Sequence, residues 1–364
     1  MGHRTSNVER SPTTDHRPLT GEQPHVRTNA LTGERVIVAP GRAERPRPSE
    51  VPRGDKGSRP FDPGCPFCPG NEAQTTEELF RLPAREPGGD GPGWRVRVVC
   101  NKYPVLLDEM PAAVGEPGAF RQVEPAVGRH EVIVETPIHD AELAGFGSDE
   151  MLEVLQTVRE RFAAAAADPR IEHVVIFRNQ GRLAHASLPH PHSQLAGLPF
   201  VPPFIAQVLE RSRTYAAECG AVLLLGMAKA EVEDGARLLD TTERLATFVP
   251  FAAAHDNEIW IVPRQLPPRF DRVDDQDLRE LGDAVRRATR VLAVALGNPD
   301  YNLMLHTAPL GGATERLLPW YLQIIPRCAV SAGFEMGIGV RILTTAPESA
   351  AQTLRSAFRK VAGL

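Results

Sequence analysis

His190-Pro-His192-Ser-Gln194 sets two imidazoles one residue apart. Alternate residues of an extended segment project to the same side, so one ring can face a reacting group while its neighbour is anchored behind it. Imidazole is a nucleophile, a proton carrier and a metal ligand near neutral pH, and Pro191 fixes φ and removes a competing donor. The run suits covalent chemistry; a pair of surface or metal-ligating histidines is the plainer alternative. Far upstream, Cys65-Pro-Phe-Cys68 can place two thiolates on adjacent corners of a zinc tetrahedron, leaving two corners for distant ligands. His139, just after the strand-like run Glu131-Val-Ile-Val134, and His190 are both candidates. A redox Cys-x-x-Cys should open a helix after a strand, whereas Pro69-Gly70 follows Cys68, so zinc is the better reading.

The elements that must position these groups occur in two similar series. Glu131–Val134 reads as a strand, Ser148 as the cap of a helix with Met151, Leu152, Leu155, Val158 and Phe162 at helical spacing, and His173–Phe177 as a second strand leading to the His-Pro-His run. In the other half, Glu258–Val262 reads as a strand and Leu278, Leu281, Val285 and Leu292 as a helix face. Tyr301–Leu305 and Trp320–Pro326 then follow as strands. The order points to an internal duplication. Tyr321 and Gln323 take the His-x-His spacing in the second copy without supplying a ring nucleophile, which predicts one competent site per chain. Paired strands, helices and irregular loops around residues 263–271 fit an antiparallel sheet in an α+β fold.

The 364 residues exceed the usual size of one compact core, which favours two domains. A net charge of −5 supplies no basic field for nucleic acid. Arg42, Arg45 and Arg47 nevertheless cluster where they could meet phosphates, or form a solvated loop among prolines. Cys100, Cys219 and Cys328 form an odd remainder without disulfide-like spacing, which indicates a reducing compartment. The first residues have no apolar export core, and no window has the length of a membrane span. The expectation is a soluble cytoplasmic protein with no membrane partner and a polar, disordered tail over residues 1–25.

Six motifs in order resemble the galactose-1-phosphate uridylyltransferase family of the histidine-triad superfamily, including its ADP-glucose phosphorylase-like relatives. They are the segment from Arg27 through Thr-Gly-Glu-Arg35 to the arginine loop, Cys65-Pro-Phe-Cys68-Pro-Gly-Asn-Glu, Val99-Cys-Asn-Lys-Tyr-Pro, Phe177-Arg-Asn-Gln-Gly181, Ser187-Leu-Pro-His-Pro-His-Ser-Gln194, and the pair Asn302–Pro309 with Ala332-Gly-Phe-Glu-Met-Gly. The resemblance implies two tandem histidine-triad-like halves, residues 26–198 and 199–364, each an antiparallel half-barrel with flanking helices, assembled as a homodimer. It implies one structural zinc on Cys65, Cys68, His139 and His190, with His192 as nucleophile. Gln194 and Ser187 would join the catalytic set, while Arg42, Arg45, Asn101, Asn179, Gly181, Phe334 and Glu335 would bind substrate. A second metal, bound in some members near the positions of His306, Tyr321 and Gln323, is not expected because only His306 is a good ligand.

The implied reaction moves a nucleoside monophosphate, UMP in the first instance, from a nucleotide sugar to a second sugar 1-phosphate through a nucleotidyl-histidine. Neutral imidazole brings no extra negative charge to the phosphorus and leaves readily from the adduct. The alternatives are adenylyl transfer from ADP-glucose to phosphate, hydrolysis by water, and a non-catalytic nucleotide-binding zinc protein.

Overall fold

Runs of β-branched residues broken by turn residues set the strands, and stripes of leucine, valine and alanine at helical spacing set the helices. The computed structural model describes residues 23–44, 59–85, 93–109, 120–121, 123–312, 314–329 and 332–361. In chain order these form β1 (His25–Thr28), β2 (Arg35–Val38), β3 (Glu78–Pro83), β4 (Trp94–Cys100), β5 (Arg129–Val134), α1 (Ser148–Ala166), β6 (His173–Gln180) and β7 (His192–Leu198). They continue as α2 (Pro203–Cys219), α3 (Leu223–Asp234), β8 (Leu238–Thr241), β9 (Leu245–Phe248), β10 (Ile259–Pro263), α4 (Asp275–Leu296), β11 (Tyr301–His306), β12 (Tyr321–Pro326), α5 (Gly333–Ile338), β13 (Arg341–Leu343) and α6 (Pro347–Val361).

The fold is α+β. Ten strands make one antiparallel sheet in the order β3-β4-β5-β7-β6-β11-β12-β10-β9-β8. The first five strands and the last five run outward from the β6–β11 seam in matching sequence, each set interrupted by one long helix between its third and fourth strands. The seam is itself a ladder, with Asn302 opposite Asn179 and Met304 opposite Phe177. Residues 25–38 extend the second half: β2 pairs in parallel with β13, and Arg27 forms an ion pair with Glu348 at 2.9 Å.

Helices α1, α4 and α6 cover one face. Leu155, Val158 and Phe162 of α1 and Leu278, Leu281, Val285 and Leu292 of α4 lie in one cluster with Ile133, Ile176, Leu195 and Ile324 of the strands. Each such side chain contributes about 1.5–3 kcal/mol on burial, so the two halves share their main source of stability. Ser148 is the first residue of α1 and not its cap; its hydroxyl donates to Asp283, and Glu150 accepts the Gly147 N–H at the helix start. On the opposite face, α2 and α3 cover the second half over Phe248, Trp260 and Tyr321, while the Cys65–Cys68 knuckle packs on Val99, Val132 and Val134 of the first. Between these covers, Phe177, Asn179, Gln194, Asn302 and Met304 remain half-buried.

Candidate active site and metal centre

The cysteine knuckle is a short turn in which the Cys68 N–H donates to the Cys65 carbonyl at 3.2 Å, sealed by the Asn71 amide on the same carbonyl at 2.8 Å. His139 follows β5 through residues 135–138 and is docked by its own N–H on the Pro60 carbonyl at 2.8 Å. His190 immediately precedes β7. Together they form a buried cluster of four donor atoms lying within 4.8 Å of one another. His190 Nδ1 is 3.7 Å from both sulfurs, and His139 Nδ1 is 3.4 Å from Cys68 Sγ. Metal–ligand bonds of about 2.3 Å to sulfur and 2.0 Å to nitrogen give a tetrahedral S···N edge of about 3.5 Å, so the donors fit one ion. The His190 Nε2–H donates to the Thr136 carbonyl at 2.8 Å, which leaves Nδ1 facing the sulfurs. Burial pushes the Cys65 thiol up to about 11, a penalty on the thiolate that a cation at this point would reverse.

His192 opens β7, opposite Val134 of β5. Its Nδ1–H donates to the His190 carbonyl at 2.8 Å, so the proton is fixed there and Nε2 keeps its lone pair. The ring is 7% exposed and meets the edge of Phe67 at 5.4 Å between centroids. Burial pushes its pKa below the ordinary imidazole value, while the His190 carbonyl and Glu135 pull the other way, and the result favours the neutral ring.

Gln194 lies on the same face two residues on, opposite Val132 of β5 and Phe177 of β6. Its Oε1 accepts from Asn101 Nδ2 at 3.3 Å and lies 3.0 Å from His130 Nε2, which leaves its amide N–H₂ group for a ligand. Ser193 points to the other face and donates to Glu135 Oε1, and Glu135 also receives Arg178 Nε at 2.9 Å on Oε2. Asn101 is thus joined directly to Gln194, whereas Asn179 stands on the adjoining strand with its Oδ1 accepting from Asn302 Nδ2 at 2.8 Å.

Gly181 follows β6 at φ +83°, with Asp300 so close that an added Cβ would lie 2.0 Å from Oδ1. This contact explains the glycine without a ligand. Ser187 is exposed in the loop between β6 and β7, and Arg42 is exposed on the 3₁₀ turn Pro40–Glu44. Arg45 lies outside the described residues. Phe334 and Glu335 sit on α5, where Phe334 is half exposed and Glu335 accepts the Ala332 N–H at the helix start. None of their hydrogen bonds or ring contacts among the described residues leads to His192.

Sequence reasoning did not single out His130, Glu135, Arg178 or Asn302 as site residues. His130 had a signal, since it alternates with Val132 and Val134 on the face that meets β7. In the second half, His306 Nε2–H donates to Gln323 Oε1 at 2.8 Å and the His306 ring stacks on Tyr321 at 4.5 Å. Gln323 donates in turn to Glu258 at 2.7 Å, closing a network in the place that His192 and Gln194 occupy in the first.

A model of the galactose-1-phosphate uridyl transferase N-terminal domain matches residues 93–202, which run from β4 through β7 and carry His139, His190 and His192. ADP-glucose phosphorylase of Arabidopsis thaliana is 32% identical over 339 residues, covering 92% of this chain and 93% of its own. Galactose-1-phosphate uridylyltransferase of Haemophilus influenzae is 28% identical over 345 residues, covering 92% and 95%. The crystal structure of the A. thaliana ADP-glucose phosphorylase with bound ADP-glucose superposes with a TM-score of 0.77 at 30% identity, covering 92% of this chain and 98% of that one. Similarity of this degree along nearly the whole of both chains means that this chain belongs to the galactose-1-phosphate uridylyltransferase family of nucleotidyltransferases.

Proposed function

We propose that the protein transfers UMP from a nucleotide sugar to a second sugar 1-phosphate, with His192 carrying the nucleotide between the two. The observation that carries this is the 2.8 Å bond from His192 Nδ1 to the His190 carbonyl, which leaves Nε2 as the free nucleophile. Nε2 attacks the α-phosphorus and forms a P–N bond, and the bridging P–O bond breaks to release sugar 1-phosphate. The ring is then cationic, and its Nδ1–H is already held by a carbonyl oxygen. A phosphate oxygen of the second sugar 1-phosphate attacks the same phosphorus, the P–N bond breaks, and neutral imidazole returns.

Phosphoryl transfer draws mainly on orientation and charge stabilisation. Gln194 serves this through its N–H₂ group on a nonbridging oxygen. Ser187, Asn179, Arg42 and Arg45 are assigned to the phosphates, Asn101 to the nucleotide, and Phe334 with Glu335 to the sugar, while Gly181 keeps only the backbone role that its contact with Asp300 explains. Zinc on Cys65, Cys68, His139 and His190 would have four protein donors and no open position, and would brace the loop that delivers His192. The same proposal includes a homodimer in the cytoplasm, the latter in keeping with an odd remainder of three cysteines without disulfide-like spacing.

Adenylyl transfer from ADP-glucose to phosphate is the second reading, favoured by the higher identity to the A. thaliana phosphorylase than to the H. influenzae uridylyltransferase. Incubation with UDP-glucose or ADP-glucose carrying ³²P at the α-phosphorus, followed by denaturation, tests both. Acid-labile label on the protein from UDP-glucose is expected, and its loss in His192→Ala. Label from ADP-glucose alone selects the second reading, and no label from either, or undiminished label in His192→Ala, rejects the mechanism.

A further inference from the structure

We propose that His130 is a positioning residue that holds the side-chain oxygen of Gln194 and ties it to the Asn101–Val105 loop, so that the Gln194 N–H₂ group faces the reacting phosphoryl group. The inference rests on the function proposed above for that glutamine. It is carried by the direction of the hydrogen bonds. His130 stands on β5 opposite Ala196 of β7, on the face shared with His192 and Gln194. The Val105 N–H points at His130 Nδ1 at 3.1 Å, and a backbone amide can only donate. Nδ1 is therefore unprotonated, and in the neutral ring the proton sits on Nε2, 3.0 Å from Gln194 Oε1. Burial pushes the His130 pKa below the ordinary value, with the Gln194 bond acting in the opposite sense, which keeps one proton on the ring.

The tautomer also settles a crowded contact. Asn101 Nδ2 lies 3.2 Å from His130 Nε2 and 3.3 Å from Gln194 Oε1. With the proton on Nε2, the ring and the Asn101 amide are two donors converging on one oxygen. Turning the Gln194 amide over would set its N–H₂ group against both donors and its oxygen toward the phosphate, losing two hydrogen bonds and creating repulsion on each side. Beside the Val105 N–H on the ring, the backbone holds the loop to the same residue: the Asn101 N–H donates to the His130 carbonyl at 2.8 Å, and within the loop the Tyr103 N–H donates to Asn101 Oδ1 at 2.9 Å. One imidazole thus links the loop assigned to the nucleotide with the amide assigned to its phosphate.

The test is a double-mutant cycle read by single-turnover labelling, using whichever α-³²P sugar nucleotide labels the wild type. His130→Leu is expected to slow labelling at saturating donor by roughly 10- to 100-fold with little change in the donor concentration for half-maximal rate. His130→Gln, which can donate to Gln194 again, should recover most of the rate. In a Gln194→Ala background, His130→Leu should change the rate less than about twofold, because the group it positions is gone. Wild-type labelling by His130→Leu, or a loss undiminished in the Gln194→Ala background, overturns the proposal. A purely structural role would lower the melting temperature in both backgrounds and would give the same loss in each. Nitrogen-15 NMR of the wild-type ring decides independently of catalysis: protonated Nε2 and bare Nδ1 are expected, and the opposite tautomer overturns the assignment. Absence of label on the wild type with the expected tautomer would count against the function, not against the positioning.

Discussion

Replacing Glu135 with leucine leaves a charge with no adequate partner. The Arg178 and Glu135 side chains are each 1% exposed, and Arg178 Nε contacts both carboxylate oxygens, at 3.2 and 2.9 Å. Its remaining partners among the described residues are Gln180 Oε1 and the Tyr301 hydroxyl at 3.3 Å, and Nη2 has none there. Removing one member of such a pair costs about 3–5 kcal/mol, because the other charge stays out of water uncompensated. Unfolding entropy of about 2.1 cal/mol/K per residue gives about 0.8 kcal/mol/K for a chain of this length, so the melting temperature should fall by about 4–6 °C. Arg178→Met added to Glu135→Leu removes both charges and should recover most of that loss, since the intact pair contributes little net stability against apolar groups of similar size. Differential scanning calorimetry and urea denaturation measure both steps. A fall below about 1 °C in the single variant, or a double variant no more stable than the single, refutes the stranded-charge argument. The site adds a second readout. Ser193, between His192 and Gln194, donates to Glu135, so labelling of His192 should slow in the single variant and stay slow in the double variant, where the serine still lacks its acceptor.

Cys68→Ser removes the sulfur nearest His139 and should lower bound zinc, measured by plasma mass spectrometry, from one per chain to well below one, together with adduct formation; full zinc occupancy would exclude this ligand set. Gly181→Ala must adopt φ +83° and place its Cβ 2.0 Å from Asp300 Oδ1, which should cost about 2–4 kcal/mol in urea denaturation; an unchanged midpoint would show that Asp300 does not hold this approach. Burial, with a smaller push from His306, lowers the His173 pKa to about 4. The unfolded ring takes up its proton near 6.5, so the stability from keeping His173 neutral is fully present above that pH and is lost as pH falls towards 4, by at most about 3 kcal/mol. His173→Phe should flatten this slope, compared with wild type, in urea denaturation at pH 7 and pH 5, and an unchanged slope would place the acid sensitivity elsewhere.

The parts of the site legible in the sequence are those whose chemistry sits close together along the chain. Cys65 with Cys68, and His190 with His192 and Gln194, declare themselves by spacing alone, and His139 follows from its place after a strand rich in valine and isoleucine. The two-copy order of strands and helices was likewise readable, and the sheet order outward from the β6–β11 seam follows it. The closure of both copies into one sheet was not readable, because the seam depends on which strand edges meet, and periodicity says nothing about neighbours. Helices α2 and α3 were not anticipated in the sequence; their apolar stripes are short and lie between stretches already explained by strands.

The partners of the site residues were hidden for a related reason. His130 precedes Gln194 by 64 positions, and only the β5–β7 register and the return of the loop to Val105 give it a donor and an acceptor. Glu135 and Arg178 read as ordinary polar ends of strands until Ser193 is seen to point away from the site and onto that pair. The alternation that puts His192 and Gln194 on one face necessarily sends Ser193 to the other, so the strand that presents His192 is anchored from behind by a buried ion pair. The second half shows what remains when the ring is absent: Tyr321 and Gln323 keep the spacing, but the glutamine is bonded to both His306 and Glu258, and the tyrosine stacks on His306 beside Trp260. The Gln323 N–H₂ group is thus turned to the Glu258 carboxylate, with one of its two N–H bonds spent there. On Gln194 the hydrogen bonds among the described residues fall on the oxygen, from Asn101 and His130, so in the proposed reaction both N–H bonds are left for a phosphate, and β7 carries the imidazole that β12 lacks.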